Sequence, residues 1–183
     1  MRIACLGWGS LVWNPRELRI AGGRNAWNND GPYLPVEFAR QSQCDRVTLV
    51  LLRQGPLAQT LWAEMLDDDL EAARSSLALR EGTPGNKPIG VWPSQERYPH
   101  VETIAAWAVT KGLEGVVWTA LGPKFNKKNG RIPTADEVVT YLRRLVEDRT
   151  STCAEEYIRR TPPQVRTPYR TAIEENLGWT PVS

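Results

Sequence analysis

Apolar runs of strand length fill the first third of the chain. Residues 2–8 and 59–66 are mostly apolar, and residues 36–42 and 46–53 are two further runs joined by a short polar turn, which is the pattern of a hairpin. Residues 21–32 are instead rich in glycine and asparagine, which predicts a loop. The N-terminal part of the chain is therefore expected to be mainly β-structure.

After residue 66 the apolar positions change to helical spacing. Asp68 and Glu71 are spaced as a capping box in front of an apolar stripe, which predicts a helix over residues 68–81 that Gly82 and Pro84 terminate. By the same rules the rest of the chain is expected to contain a strand at 89–92, a helix at 101–110, a strand at 115–121 and helices that start near Thr134, Thr152 and Thr167. Clustered strands followed by helices predict an α+β fold with a closed or strongly curved sheet and flanking helices.

The length and composition are those of one globular domain. The chain has 183 residues, of which 41% are hydrophobic and 24% charged. Residues 1–183 are therefore expected to form a single domain, in which residues 130–183 are a mainly helical C-terminal extension. The 23 basic and 21 acidic residues leave a net charge of +2, which is too balanced to indicate a nucleic-acid partner. No apolar run approaches ~18 residues and no basic leader follows Met1, so a cytoplasmic protein without a membrane partner is expected.

Neither the cysteines nor the acidic residues have the spacing of a metal site. The chain has three cysteines, at positions 5, 44 and 153, and no two of them form a C-x-x-C pair. This spacing predicts reduced thiols for Cys5, Cys44 and Cys153 rather than a disulfide framework or a zinc site. Residues 67–69 are three aspartates at the start of a predicted helix, where capping is favoured over cation binding. No metal and no cofactor are expected. The only histidine, His100, is favoured as a loop or helix-start residue over a member of a catalytic triad.

The first strand runs into the sequence "GWGSLVWNP", whose glycines suggest a loop with exposed amides. A dinucleotide-binding loop is excluded, because the third glycine of G-x-G-x-x-G would fall at Val12 and Pro15 would interrupt the helix that must follow. Glu81 is the other residue that stands out, since it ends the predicted helix, where the helix dipole disfavours negative charge. A functional role and an exposed surface glutamate are both open for it at this point.

The aromatic and basic residues leave two further alternatives open. Most of the eight tryptophans are expected in the core because they lie on predicted strands or helices, namely Trp62, Trp92, Trp107 and Trp118. Trp8 and Trp13 flank the glycine loop and are expected either as pocket walls or as core residues. A basic segment, residues 124–131, is interpreted as a solvated loop or as a lid over an anionic ligand, and it keeps single-stranded nucleic-acid binding as a weaker alternative.

The loop resembles a known family. "GWGSLVWNP" is similar to the "YGSL" loop of the γ-glutamylcyclotransferase-like superfamily, and "GSLVWNP" is especially similar to its ChaC-like branch. Residues 61–82, "LWAEMLDDDLEAARSSLALREG", resemble the segment that leads to the catalytic glutamate of the family, with Glu81 at that position. The likeness covers roughly the first half of the chain, and Trp8 stands where the family usually has tyrosine.

This resemblance implies a small mixed β-barrel with a pocket at its mouth and an enzyme that cyclises a γ-glutamyl group to 5-oxoproline with release of an amine. The implied catalytic residue is Glu81. The implied substrate-binding residues are those of the loop, namely Trp8, Gly9, Ser10, Leu11 and Trp13. The implied partner is a small-molecule γ-glutamyl compound, and a non-catalytic small-molecule binding protein of the same fold is the alternative.

Overall fold

Strands and helices both form close to where the apolar pattern indicates, and the α+β class is confirmed. The structure is a computed structural model that describes residues 1–23, 26–83, 85 and 88–182. The strands are β1 (Ile3–Gly7), β2 (Tyr33–Leu34), β3 (Val36–Gln41), β4 (Val47–Leu51), β5 (Ala58–Gln59), β6 (Leu61–Glu64), β7 (Ile89–Trp92), β8 (Gly115–Thr119), β9 (Lys124–Phe125) and β10 (Lys128–Asn129). The helices are α1 (Ser10–Trp13), α2 (Leu70–Glu81), α3 (Val101–Thr110), α4 (Ala135–Glu147), α5 (Thr152–Arg160) and α6 (Pro168–Leu177).

The chain divides into two compact units, each made of two separate stretches. The first unit is Met1–Leu34 with Gln59–Leu121, and the second is Pro35–Ala58 with Gly122–Ser183. The mainly helical residues 130–183 therefore share their unit with β3 and β4, although those strands lie far away in sequence. The expectation of a single domain over residues 1–183 stays a prediction.

The first unit is built on a four-stranded sheet in the order β6-β1-β8-β7. The central strand β1 is antiparallel to β6 and parallel to β8, and all five of its residues are buried, as its continuous apolar sequence requires. Helix α2 packs on β7 and β8. Its buried Ala73 and Leu77 join one apolar core with Ile3 and Val117 of the sheet. This packing brings the C-terminal end of α2 close to the loop that follows β1.

Helix α2 begins one residue later than a cap at Asp68 would require. Asp69 is the N-cap, because its backbone is extended and its carboxylate accepts a hydrogen bond from the amide of Ala72. The C-terminal end is as predicted. Gly82 has a φ of 63°, a left-handed conformation that glycine adopts at low cost, and its amide bonds to carbonyls of the last turn. The predicted stop at Pro84 falls outside the described residues.

The second unit contains a sheet in the order β10-β9-β3-β4 and the helices α4, α5 and α6. The capping box that Thr134 and Glu137 predict is present, and Thr167 caps α6 as expected. The cap predicted at Thr152 is wrong, because α5 includes this residue and follows Ser151, which makes no side-chain cap. Local polar spacing thus located all three helix starts and identified the capping residue of two of them.

The prediction of three reduced cysteines is wrong for two of them. Cys44, in the turn between β3 and β4, and Cys153, in the first turn of α5, form a disulfide with a Cα–Cα distance of 6.0 Å. They are 109 residues apart in sequence, so only the fold of the second unit brings them together. Cys5 is a free, fully buried thiol.

The sheets formed by the described residues are open, and none of them closes into a barrel. None of the helices in the described residues is both long enough and apolar enough to cross a bilayer.

Candidate active site

The loop after β1 contains one turn of helix rather than an open glycine loop. The amide of Val12 donates to the carbonyl of Gly9 over 2.9 Å, and the amide of Asn14 donates to that of Ser10 over 2.8 Å. These bonds fold residues 10–13 into α1. Like the first amides of any helix, those of Ser10 and Leu11 have no acceptor within the turn. The loop therefore keeps the donors that the family resemblance requires of it.

The side chains of this loop differ in exposure. Trp8 and Leu11 are each only 6% exposed, and Leu11 belongs to the apolar core of the first unit. Ser10 and Trp13 are half-buried. Of the two tryptophans considered as pocket walls, Trp8 is thus a buried residue and Trp13 keeps an accessible part.

Glu81 is the last residue of α2, and its side chain is 15% exposed. Its Oε1 accepts a hydrogen bond from the neighbouring Arg80, and its charge also acts on the buried thiol of Cys5 in β1. Burial raises the pKa of this thiol strongly, Glu81 raises it further, and Arg80 partly opposes the rise. Burial and the raised pKa therefore favour the neutral thiol, in contrast to the lowered pKa of nucleophilic cysteines.

Arg80 connects Glu81 to the loop. Its Nη1 donates to Oε1 of Glu81 over 2.7 Å, and its Nη2 donates to Oγ of Ser10 over 3.3 Å and to the carbonyl of Asn14 over 2.8 Å. The Arg80 side chain is 9% exposed. Two motifs that are distant in sequence thus meet at one buried guanidinium, a residue that sequence reasoning did not single out.

Trp27 is a second residue near the loop that sequence reasoning missed, because residues 21–32 were interpreted only as a loop. Its indole ring lies over Gly7, where an added Cβ would be 2.6 Å from Cζ3 of Trp27 and 3.1 Å from Cγ2 of Val12. A side chain at position 7 would therefore displace the ring, which explains the glycine. The indole Nε1 of Trp27 is buried and has no acceptor among the described residues. Residues 24 and 25 of the same segment fall outside the description.

The other candidates of the first unit have structural roles. His100 precedes α3 as its N-cap residue, and its carbonyl accepts a hydrogen bond from the amide of Ile104. Asp67 forms an ion pair with Arg19 over 3.1 Å. Within the described ranges, no three His, Cys, Asp or Glu side chains are grouped so as to hold a metal ion.

Trp62 and Trp118 lie in the core of the first unit as predicted, since they are 9% and 0% exposed. Trp92 and Trp107 were expected in the core as well, but they are only half-buried. The indole of Trp62 donates to the Asp30 carboxylate over 2.8 Å, and that of Trp107 donates to the Asp30 carbonyl over 3.0 Å. These rings are committed to packing and to hydrogen bonds within the protein.

The basic segment 124–131 lies in the second unit and is a hairpin of β9 and β10. Asn126 and Lys127 form its turn with positive φ angles of 49° and 63°. Arg131 pairs with Glu137, and its guanidinium carbon lies 5.4 Å from the centre of the Phe125 ring. The segment is thus a β-hairpin with an exposed tip, where the sequence suggested a solvated loop or a lid.

Comparison with known proteins gives no match: no family model, no curated protein and no solved structure matches this chain. Any assignment of function therefore depends on the residues of the site itself. These are the donor loop of residues 9–14, the carboxylate of Glu81 and the guanidinium that joins them.

Proposed function

We propose that this protein is a γ-glutamylcyclotransferase-like enzyme that converts a γ-glutamyl amide or peptide into 5-oxoproline and a free amine. The observation that carries the proposal is that one guanidinium, that of Arg80, bonds to both Glu81 and Ser10. These two residues belong to the two motifs that resemble the family. A strongly curved sheet, in place of the closed barrel of that family, and a cytoplasmic location belong to the same proposal. The Cys44–Cys153 disulfide argues against a cytoplasmic location, because structural disulfides are rare in the cytosol.

The chemistry needs one base and one anchor on the same small molecule. The α-nitrogen of the glutamyl group attacks its own γ-carbonyl carbon, a new C–N bond closes the five-membered lactam, and the bond to the leaving nitrogen breaks. Two protons leave the α-ammonium and two arrive on the leaving amine, so no water, metal or redox partner enters the balance. Because the reaction is intramolecular, holding the chain folded supplies ~7–11 kcal/mol of the barrier.

The residues of the site have complementary roles in this scheme. Glu81 accepts the protons of the ammonium one at a time and returns them to the leaving amine as general base and then general acid. The amides of Ser10 and Leu11 hold the carboxylate or the developing oxyanion of the substrate. Gly9 allows close approach of the ligand because it has no side chain.

A non-catalytic binding protein is the second candidate, and the Arg80–Glu81 ion pair is the observation that favours it. A carboxylate whose charge is already balanced by a neighbour at 2.7 Å has a structural role without any reaction. In that case a γ-glutamyl compound binds and is recovered unchanged.

The deciding experiment incubates the purified protein with a panel of γ-glutamyl compounds, including glutathione and an apolar γ-glutamyl amide, and measures 5-oxoproline. Release of 5-oxoproline is expected for at least one compound. Glu81→Gln should lower kcat by ~10²–10⁴, the usual scale for loss of a general acid/base. Glu71→Gln, an exposed residue on the same helix, is the matched control and should retain the activity. Unaltered turnover in Glu81→Gln would assign the proton transfers to another group.

A further inference from the structure

The Arg80 guanidinium joins two parts of the first unit that are 70 residues apart in sequence. We propose that Arg80 is a positioning residue that fixes the Glu81 carboxylate against the loop of residues 9–14 and leaves Oε2 of Glu81 as the oxygen that meets substrate. The part of this inference that concerns catalysis rests on the proposed function. The part that concerns the arrangement of the loop and Glu81 does not.

The shape of the guanidinium makes it suited to this role. Its donors lie in one plane in a fixed fork, so satisfying Nη1 and Nη2 at once sets the carboxylate of Glu81 relative to Ser10 Oγ and the Asn14 carbonyl. A lysine ammonium at this position is a single point charge on a flexible stem. It cannot hold all three acceptors in the same plane.

Burial shows that the Nη contacts hold this side chain in place. Arg80 is 9% exposed, and a charge is rarely buried to this extent unless it is paired. Its Nε is buried and has no acceptor among the described residues. Every hydrogen bond recorded for the guanidinium therefore runs through Nη1 and Nη2, toward Glu81 on one side and the loop on the other.

The arrangement also distinguishes the two oxygens of Glu81. Arg80 occupies Oε1, and no donor among the described residues bonds to Oε2. The guanidinium has hydrogen-bond donors and no acceptor, so Arg80 acts here through hydrogen bonds alone. Arg80 instead sets the direction in which Oε2 of Glu81 points. This direction matters because misplacement of a reacting group by about 1 Å costs on the order of 10²-fold in rate.

The first test needs no substrate and measures amide hydrogen exchange at Val12 and Asn14, whose bonds define α1. Arg80→Ala should speed this exchange by ~10-fold or more, because the loop loses two charge-assisted hydrogen bonds. Arg74→Ala is the matched control: Arg74 is on the same helix, its side chain is 13% exposed, and it pairs with Glu96. The control should leave exchange in the loop unchanged. Unchanged exchange in Arg80→Ala would overturn the inference.

The second test uses the γ-glutamyl compound with the best turnover. Arg80→Lys should lower kcat on the order of 10²-fold with little change in KM. Guanidinium ions, added far below denaturing concentrations, should restore part of the activity of Arg80→Ala, and ammonium ions should not. Normal kcat in both variants would refute the catalytic part. A wild-type protein without turnover, together with faster loop exchange in Arg80→Ala, would refute the proposed function and leave the positioning role intact.

Discussion

Replacing Glu37 by glutamine is expected to stabilise the protein at neutral pH. Glu37 lies on β3 in the second unit and is 5% exposed. Its Oε1 accepts hydrogen bonds from Oγ1 of Thr167 over 2.6 Å and from the amide of Phe38 over 2.8 Å. Burial raises the pKa of this carboxyl from 4.5 to about 7, although these hydrogen bonds oppose the rise.

The magnitude follows from proton linkage. Between pH 4.5 and about 7 the folded protein holds a proton on Glu37 that the unfolded chain has released. The contribution of Glu37 to stability is therefore complete below pH 4.5 and is lost as the pH rises through about 7. With 1.36 kcal/mol for each pH unit, the loss is about 3 kcal/mol. Glutamine resembles the protonated carboxyl and does not titrate, so Glu37→Gln escapes this loss.

The assay is urea denaturation of wild type and variant from about pH 4.5 to about pH 8. The difference in free energy of unfolding should grow by about 3 kcal/mol in favour of Glu37→Gln over this range. Glu174→Gln is a control of opposite sign. Burial opposes the charged form of Glu174, but Arg166 and Arg170 outweigh it and lower its pKa below 4.5. This variant should therefore lose stability by an amount that stays nearly constant between pH 4.5 and about pH 8, and that shrinks only below pH 4.5. A difference for Glu37→Gln that stays constant with pH would refute the reasoning.

Two further predictions concern the second unit. Arg170 is fully buried, and its guanidinium donates to three backbone carbonyls and a carboxylate. Arg170→Met should therefore lower the free energy of unfolding, measured by urea denaturation, by about 3–5 kcal/mol. A change below about 1 kcal/mol would contradict this prediction. Alkylation of the denatured, unreduced protein should label Cys5 alone, because Cys44 and Cys153 are paired, and three labels in the intact mass before reduction would exclude the disulfide.

The elements that could be predicted are those whose signals are local. The capping box of Thr134 and Glu137 needs only residues three apart, and the left-handed Gly82 needs only its own backbone. A local signal is also ambiguous at the start of α2, where the cap was predicted at Asp68 and lies at Asp69. With three consecutive aspartates any one can cap, and the backbone conformation of the folded chain decides which of them does.

Features that depend on distant parts of the chain were missed. The β3–β4 hairpin shares a unit with the C-terminal helices, and neither its apolar pattern nor theirs carries information about the other. The disulfide follows from this grouping, because it joins the hairpin turn to α5. Spacing between Cys44 and Cys153 is uninformative when the fold alone sets their proximity. The buried carboxyl of Glu37 is a further example. Its position in β3 predicts that it lies on one face of the sheet, but the sequence does not show which elements cover that face.

Arg80 was missed, although the sequence could have revealed it. Ala73, Leu77 and Arg80 follow the i, i+4, i+7 spacing of a single helix face, so the stripe that predicted the buried face of α2 also placed an arginine on it. Because a buried guanidinium requires a partner, an arginine on an apolar stripe predicts a nearby carboxylate, and Glu81 is the adjacent residue. A basic residue in the last turn of a helix is common because it interacts favourably with the helix dipole. For this reason the position of Arg80 on the buried face was overlooked. Periodicity distinguishes the two, since an arginine that serves only the dipole has no need to lie on the buried face.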